Sequence, residues 1–220
     1  MIPKTINYFW FGSNPKSKKV KFCIDSWKKF CPDYTIVEWN ENNFDISVHP
    51  YTKRAYEEKR WAFISDYARM KTIFEFGGIY LDTDVEIIRP IDSLTELYAY
   101  FGFENSSRVA SGLGFGSEKD NPIIYDILCE YDKVVENIDF EYIACPYIET
   151  KVFEKHGLEA NGNTQMVENT KVFSPSFFSP KNYFTGKCHV TSETYSIHHY
   201  DASWKSGTEK FKRMIRQILK

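Results

Sequence analysis

Cysteine is scarce in this 220-residue sequence, and no two cysteines stand in the C-x-x-C spacing that zinc and redox sites use. The five cysteines are scattered and odd in number: Cys23, Cys31, Cys129, Cys145 and Cys188. This pattern is typical of reduced thiols in a reducing compartment. It favours structural cysteines over a disulfide framework or a cysteine-bound metal.

A long hydrophobic run is lacking as well. No stretch approaches the ~18–20 consecutive apolar residues that a membrane-spanning helix needs. Residues 1–4 (Met-Ile-Pro-Lys) do not have the basic-then-apolar layout of a signal peptide. Together these two absences favour a cytoplasmic location, which is our expectation from the sequence.

An excess of positive charge is the third missing feature. Lys and Arg total 28 against 30 for Asp and Glu, so no overall positive field would hold nucleic acid by its phosphates. The sequence is instead rich in hydrophobic (42%) and aromatic (17%) residues, which predicts a folded core. Single cores commonly run to ~200–250 residues, and we expect one domain over residues 1–220.

The order of the apolar patterns predicts an α/β fold. A strand over residues 5–11 is followed by a helix whose apolar positions run from Val20 to Cys31, and then by a strand over 34–39. Strand, helix and strand at this spacing indicate a parallel sheet covered by helices. A second helix carries an apolar stripe (Phe63, Tyr67, Met70 and Phe74) and ends at two glycines.

Residues 78–87 alternate between apolar and polar side chains, which predicts one strand with Tyr80, Asp82, Asp84 and Glu86 on an acidic face. Two carboxylates on one face are hard oxygen ligands that suit Mg²⁺ or Mn²⁺ and the phosphates of a substrate. A D-x-D motif alone is more often a solvated strand end, so its context decides.

The helix that leads into this strand carries Ser65, Asp66 and Arg69. Taken alone, Asp66 and Arg69 are an ion pair on a solvated helix, worth ~0.2–0.5 kcal/mol. Directly before D-x-D, they offer an anion-binding arginine and an orienting carboxylate close to a metal. By contrast, Gly112-x-Gly114-x-Gly116 predicts only a glycine-rich strand, because no helix follows in the register of a dinucleotide fingerprint.

Five motifs follow one another along the chain: Ile2-Pro3-Lys4-x-Ile6, Trp10-Phe11-Gly12, Ser65-Asp66-x-x-Arg69, Gly77-Gly78-x-Tyr80-x-Asp82-x-Asp84, and His198-His199 with Ser203-Trp204. In this order they resemble glycosyltransferase family 32, the D-x-D sugar transferases of capsular polysaccharide type. They are also similar to the glucosylating domain of the large clostridial toxins. The resemblance implies a GT-A fold, a Rossmann-like mixed sheet covered by helices. It also implies a nucleotide-sugar donor, a divalent metal and a retaining reaction.

The resemblance implies roles for individual residues as well. The implied catalytic residues are Asp66, Arg69, Asp82 and Asp84. Donor binding is implied for Trp10 (stacked on the nucleobase), Phe11, Asn42 (with Asn43 as the alternative), Ser65, Asp66, Arg69, Tyr80, Asp82, and for Ser203 and Trp204, which would close over the diphosphate. The implied ligands of Mn²⁺ (or Mg²⁺) are Asp82, Asp84 and His198, the last preferred to His199.

Two departures from the family pattern leave the acceptor side open. Position 7 is Asn where family members often carry His, and the Thr-Gly-Pro often found in the later half is absent around residues 146–150. The expected reaction is transfer of a hexose from a UDP-sugar, UDP-Gal or UDP-Glc, to a hydroxyl of a surface glycan or lipid-linked oligosaccharide. The sequence nominates no carboxylate nucleophile, which favours front-face attack.

Two alternatives stay open at this point. The segment from Leu81 to Val85 also matches the opening motif of haloacid-dehalogenase-type phosphatases, in which Asp82 and Asp84 would be nucleophile and acid. The downstream acidic motif of that family is missing after residue 120. The other alternative is a non-catalytic glycan-binding domain, which the many Tyr and Trp residues permit.

The end of the chain is basic, and its apolar residues fall at helical spacing, which predicts an amphipathic helix over about 206–220. The simpler interpretation is a terminal helix docked on its own domain. The alternative is peripheral contact with an anionic membrane, where each basic residue near the surface adds ~1 kcal/mol.

On the membrane hypothesis, the protein co-sediments with anionic phospholipid vesicles and is released as salt is raised, because salt screens the attraction. Vesicles of neutral lipid are the control. Absence of salt-sensitive binding to the anionic vesicles would remove the hypothesis.

Overall fold

The computed structural model describes residues 1–137 and 139–201. The predicted closing residues Ser203 and Trp204 and the predicted helix over 206–220 lie outside the described residues. The helices are α1 Lys18–Phe30, α2 Pro50–Glu57, α3 Trp61–Phe76, α4 Asp92–Thr95, α5 Pro122–Val135, α6 Cys145–Lys155 and α7 Pro175–Phe178. The strands are β1 Thr5–Phe9, β2 Thr35–Trp39, β3 Gly78–Tyr80, β4 Val85–Ile87, β5 Ala99–Asn105, β6 Arg108–Val109, β7 Phe115–Ser117, β8 Gln165–Val167, β9 Thr170–Phe173 and β10 Ser196–His198.

Most of these strands form one mixed sheet in the order β2-β1-β3-β7-β5-β9-β8, with β6 paired to β5. Strand β1 runs parallel to both β2 and β3, as the strand-helix-strand pattern predicts. Strand β7 is antiparallel to both of its neighbours, β3 and β5, which makes the sheet mixed. Strands β4 and β10 leave this sheet and pair antiparallel with each other.

The mixed sheet separates two hydrophobic cores. Successive residues of β1 enter different cores, Tyr8 one and Phe9 the other, because side chains alternate across a strand. Helices α3, α5 and α6 cover the core of Phe9, and α1 and α7 cover the core of Tyr8. Each large side chain that is fully buried in these cores stabilises the fold by ~1.5–3 kcal/mol.

Helix α3 lies inside the molecule rather than on its surface. Beyond the predicted apolar stripe, it also buries Asp66 and Arg69, which are 7% and 3% exposed. The helix ends at Gly77, whose φ of 66° is the left-handed conformation that glycine adopts at low cost. The chain then turns directly into β3, so α3 and β3 present their polar side chains to the same region.

The prediction of one strand over residues 78–87 is wrong. Strand β3 ends at Tyr80 and β4 begins at Val85, with D-x-D in the turn between them. The Val85 N–H donates to the Asp82 carbonyl, 3.0 Å away, and so the chain bends away from the mixed sheet toward β10. The predicted alternation survives the bend, because Ile79, Leu81 and Val85 are still buried in one core.

Helices α5 and α6 are joined by a carboxylate with three ammonium partners. Buried Glu130 of α5 accepts from Lys133 at 2.7 Å, from Lys151 at 2.7 Å and from Lys155 at 2.6 Å, the last two on α6. Burial alone would raise the pKa of Glu130, but the three lysine hydrogen bonds outweigh it and hold the pKa at about 2. A lowered pKa of this kind stabilises the fold at neutral pH.

We predict that Glu130→Gln lowers the free energy of unfolding at pH 7 by ~1 kcal/mol, a modest value because the lysines are half exposed. The difference in the free energy of unfolding between wild type and variant has its full size above the unfolded-state pKa of ~4.3. It shrinks as pH falls toward the pKa of Glu130 in the folded state. Urea unfolding at pH 7 and pH 3 measures it. The exposed Glu136→Gln is the matched control, and a difference that persists at low pH would contradict the assignment.

Candidate active site

A cleft of about 630 Å³ opens where β1 and β3 end, beside α3. The two strands are parallel, so their carboxyl ends meet at one edge of the sheet, which is where α/β folds place ligands. Of the residues predicted from sequence, the cleft is lined by Trp10, Phe11, Ser65, Asp66, Arg69, Tyr80, Asp82, Asp84 and His198.

Two aspartates and one histidine converge at the floor of the cleft. His198 Nε2 lies 3.1 Å from Asp84 Oδ1 and 3.9 Å from Asp82 Oδ2. One potential ligand atom from each of the three residues lies within 4.8 Å of those of the other two. The next histidine, His199, directly follows β10, and its Nε2 lies instead 2.7 Å from Glu86 Oε2, because successive residues of an extended chain face opposite ways.

Asp84 is held in place from several directions. Its Oδ2 accepts the Asp201 N–H at 2.7 Å, and its carbonyl accepts the His199 N–H at 3.0 Å. Burial would raise the pKa of the Asp84 carboxyl, but His198 and the backbone hydrogen bonds lower it to about 2. Burial likewise opposes the charged form of His198, and the neighbouring carboxylates raise its pKa. Asp84 is therefore ionised at neutral pH.

This group of residues fits a divalent cation. Carboxylate oxygens suit Mg²⁺ and Mn²⁺, and a neutral imidazole is a better ligand for Mn²⁺ than for Mg²⁺. The other ring nitrogen of His198, Nδ1, is buried and has no hydrogen-bond partner within the described chain. The His198 ring is therefore not held by structural hydrogen bonds at both of its nitrogens, which leaves it able to bind a metal ion.

Arg69 lies next to this group. Its guanidinium forms ion pairs with Asp66, one helical turn earlier, and with Asp82 at 3.2 Å, and it lies 5.0 Å from the centre of the Tyr80 ring. The Tyr80 hydroxyl donates to Asp82 Oδ1 at 2.5 Å. The interpretation of Asp66 and Arg69 as a solvated ion pair is therefore wrong, since both side chains are buried and tied to D-x-D.

The opposite end of the cleft is aromatic. Trp10 is half-buried, and its Nε1 donates to the Asn14 carbonyl at 2.7 Å, which fixes the orientation of the indole. Phe11 stacks on Phe9 with ring centres 5.6 Å apart. Ser65 lines the same region and donates to the Trp61 carbonyl at 3.1 Å. A planar group would find ring faces here.

Asn42 is not brought to the cleft. It is exposed in a turn, where its N–H donates to Asn40 Oδ1 at 2.9 Å. The alternative, Asn43, is also exposed, and its side-chain amide donates to the Glu38 carbonyl at 2.9 Å. The side chains of Asn40 and Asn43 shape this turn, a role common for Asn and not specific to nucleoside binding.

Gly112 is a site residue that the sequence analysis missed. A Cβ at this position would lie 2.7 Å from Asp82 Oδ2 and 3.3 Å from Arg69 Nη1. The turn is held by buried Glu149, which accepts from the Ser111 N–H at 2.8 Å and from its hydroxyl at 2.5 Å. The predicted glycine-rich strand over residues 112–116 is wrong in its first part, because Ser111–Leu113 form one short 3-10 turn and β7 begins only at Phe115.

Cleft-lining Glu104, Cys145 and Tyr200 were missed as well. They lie on three separate elements or loops that are distant in sequence from D-x-D, and no short motif marks them.

Within the described residues, no helix is both long and apolar enough to cross a bilayer.

The fold and the cleft define a class of protein. A mixed sheet covered by helices, with D-x-D at the sheet edge, is the GT-A fold predicted above. In agreement, the structure is similar to one solved as "PaToxG Glycosyltransferase", with a TM-score of 0.55 and 22% identity over 70% of this chain and 68% of that chain. The predicted fold class is confirmed.

The sequence comparison finds a family match over part of the chain. Residues 17–100 match the family described as "Glycosyltransferase sugar-binding region containing DXD motif". This segment contains Asp66, Arg69, Asp82 and Asp84. This part of the chain is therefore similar to the sugar-binding region of D-x-D glycosyltransferases, and the resemblance predicted from the motifs is confirmed.

Two curated relatives are glycosyltransferases. Inositol phosphoceramide mannosyltransferase 3 of Schizosaccharomyces pombe is 27% identical over 66% of this chain and 42% of its own length. The human α-1,4-N-acetylglucosaminyltransferase is 38% identical over 32% of this chain and 20% of its own length. The chain thus spans less than half of the length of either relative.

We predict that Gly112→Ala weakens Mn²⁺ binding, because the added methyl group displaces the Asp82 carboxylate. Overpacking of this kind costs ~1–3 kcal/mol, so affinity should fall by about 10-fold or more. Isothermal titration with Mn²⁺ measures it. Gly157→Ala is the control: its φ of 94° makes alanine strained, but it has open space around it, so stability falls and Mn²⁺ binding does not. Equal Mn²⁺ affinities of the two variants would contradict the prediction.

Proposed function

We propose that this protein is a metal-dependent, retaining hexosyltransferase that uses a nucleotide diphosphate sugar, a UDP-sugar by preference. The observation that carries the proposal is the convergence of Asp82, Asp84 and His198 beside Arg69 at the floor of one cleft. The match of residues 17–100 to a D-x-D sugar-binding region supports the same conclusion.

The phosphate end of the donor would occupy the floor of the cleft. Asp82, Asp84 and His198 would hold Mn²⁺ or Mg²⁺, which when bound supplies a Lewis acid for the charge of the departing diphosphate. Arg69 contributes a second, permanent positive charge beside Asp82, and it is held in place by Asp66. Donors fixed before the reaction stabilise developing charge without reorganisation.

The nucleoside end would occupy the aromatic part of the cleft. Trp10 offers a half-buried ring whose orientation is fixed by its bond to Asn14, and base stacking on such a ring contributes ~1–3 kcal/mol. Phe11 and Ser65 form the adjoining walls. The positions of Ser203 and Trp204 over the diphosphate remain a prediction.

In the proposed reaction, the bond between the anomeric carbon and the β-phosphate oxygen breaks, and a bond forms from an acceptor hydroxyl oxygen to the same face of that carbon. The acceptor's proton passes to the leaving phosphate oxygen. Attack on the face that the diphosphate leaves retains the configuration and needs no protein nucleophile, as the sequence analysis favours.

The donor sugar and acceptor are proposed with less structural support. UDP-Gal or UDP-Glc is our proposed donor, and a surface glycan or lipid-linked oligosaccharide, as in capsule synthesis at the cytoplasmic face of a membrane, is the proposed acceptor. The relatives' names specify mannose and N-acetylglucosamine. Relatives that carry the same D-x-D region thus differ in sugar, and the donor has to be identified by experiment.

The two alternative functions are less well supported by this site. A phosphatase would need Asp82 as a free nucleophile, whereas its Oδ1 accepts from both Tyr80 and Arg69. A glycan-binding module has no use for a buried arginine paired with one of three potential metal ligands, Asp82. The test that separates all three is a screen of nucleotide sugars for Mn²⁺-dependent release of nucleotide by the purified protein.

Release of nucleotide from at least one nucleotide sugar, lost on addition of EDTA and restored by Mn²⁺, is the expected result. Release of inorganic phosphate from phosphomonoesters without nucleotide-sugar turnover would favour the phosphatase. Glycan binding with neither activity would favour the binding module.

We predict that Asp84→Asn abolishes this turnover, because a neutral amide is a poorer ligand for a hard dication than a carboxylate. A loss of at least 100-fold in kcat/KM is expected, corresponding to about 3 kcal/mol. The melting temperature without metal should fall modestly, since the substitution removes a carboxylate that pairs with His198 and accepts the Asp201 N–H, so turnover is compared at a temperature where both proteins are folded. Near-normal Mn²⁺-dependent turnover in the folded variant would refute the metal assignment.

A further inference from the structure

Glu104 is a carboxylate in the cleft that the proposed chemistry does not use. It lies near the end of β5, lines the cleft and is only partly exposed. Its surroundings within the described chain supply His198 and the Tyr200 hydroxyl, but no lysine or arginine. Among residues 1–137 and 139–201 it therefore has no permanent cation of the kind that buried carboxylates usually have.

The other carboxylates of the site differ in this respect. Asp66 and Asp82 share the guanidinium of Arg69, and Asp84 is bonded to His198 and to a backbone N–H. A carboxylate of Glu104's kind has up to four lone-pair positions for hydrogen bonds. Most of the lone-pair positions of the Glu104 carboxylate can therefore accept hydrogen bonds from a molecule that enters the cleft.

The backbone around Glu104 is fixed. Its carbonyl accepts from the Ser179 hydroxyl at 3.0 Å, and that hydroxyl is bonded to the Tyr200 hydroxyl at 2.7 Å. The Tyr200 ring in turn packs on His198, with ring centres 4.2 Å apart. Glu104 is thus positioned next to the His198 side of the D-x-D group, on the wall of the cleft contributed by β5.

This position is adjacent to the place where the leaving phosphate would be bound, and the sugar is attached to that phosphate. Sugar hydroxyls are neutral donors, and they match a carboxylate that has no lysine or arginine beside it in the described part of the chain. On these grounds, and on the basis of the function proposed above, we propose that Glu104 binds hydroxyl groups of the transferred sugar and determines which sugar is accepted.

The test uses the nucleotide sugar found in the screen, together with its monodeoxy analogues, one for each hydroxyl of the sugar. A site that bonds a hydroxyl discriminates against the analogue that lacks it. Wild type should therefore turn over at least one deoxy donor about 10- to 100-fold less well than the parent sugar, the range of a hydrogen bond to a charged group.

In Glu104→Ala this discrimination should disappear for the same hydroxyl, because the partner of that hydroxyl is gone. Glu104→Gln, which keeps one acceptor oxygen, should give an intermediate value. Mn²⁺-dependent affinity for free UDP should be unchanged in both variants. Glu86→Gln is the matched control: Glu86 is a partly buried carboxylate of neighbouring β4 that bonds His199, away from the cleft, and its variant should keep the wild-type pattern.

Four outcomes would overturn the inference. One is wild-type discrimination among deoxy donors in Glu104→Ala, and another is equal loss of discrimination in Glu86→Gln. A third is loss of UDP affinity together with turnover, which would make Glu104 part of the nucleotide or metal site. The fourth is a glycosyl adduct on Glu104 in the intact mass, which would make it a nucleophile. If wild type binds no nucleotide and turns over no nucleotide sugar, the proposed function itself fails.

Discussion

The ion pairs of Arg69 are the interactions on which the rest of the site depends. A guanidinium that is 3% exposed must be compensated inside the protein, and it is compensated by Asp66 of its own helix and by Asp82 of the D-x-D turn. Breaking a buried pair of this kind costs ~3–5 kcal/mol, because the remaining charge stays buried. Arg69 therefore ties α3 to the turn after β3, and the cleft is the space between them.

The second constraint is the pairing of β4 with β10. The D-x-D turn would be a loose connection if β4 were free, but Trp27 of α1 donates to the Val85 carbonyl at 2.7 Å and the Ile87 N–H donates to Ser26 at 3.0 Å. With β4 fixed, pairing to β10 brings His198 beside Asp84 across 114 positions of sequence. The grouping of Asp82, Asp84 and His198 thus depends on contacts that α1 makes with β4.

The elements with a clear period could be predicted from the sequence, and so could the proximity of Arg69 to the D-x-D motif. The alternation of Ile79, Leu81 and Val85 and the stripe on α3 follow from local sterics and burial, and the D-x-D motif with Arg69 follows from spacing. The break between β3 and β4 could not be predicted, because it depends on which strand each half pairs with. The alternation of apolar and polar side chains is the same whether the segment forms one strand or two, so it does not reveal the break.

The residues that the sequence analysis missed share one physical reason. Gly112 and Glu104 belong to the cleft because of the residues that lie across it from them. Tertiary packing, rather than neighbours in sequence, determines such contacts. Asn42 is the converse case: its backbone N–H donates to the Asn40 side chain in an exposed turn, a local contact that a motif comparison does not weigh. Local sequence patterns identify the residues of a site that come from adjacent elements. They miss the residues that come from elements distant in sequence.

The cleft combines two parts of the chain with different relationships to other proteins. Arg69, Asp82 and Asp84 lie within residues 17–100, the segment that matches the D-x-D sugar-binding region. Glu104, Gly112, Cys145 and Tyr200 line the cleft from outside that segment. Every nucleoside diphosphate sugar presents a diphosphate, so residues that bind it can be shared among enzymes with different sugars. The sugar differs between enzymes, and the residue that we propose to bind it, Glu104, belongs to the part of this chain that the family match does not cover.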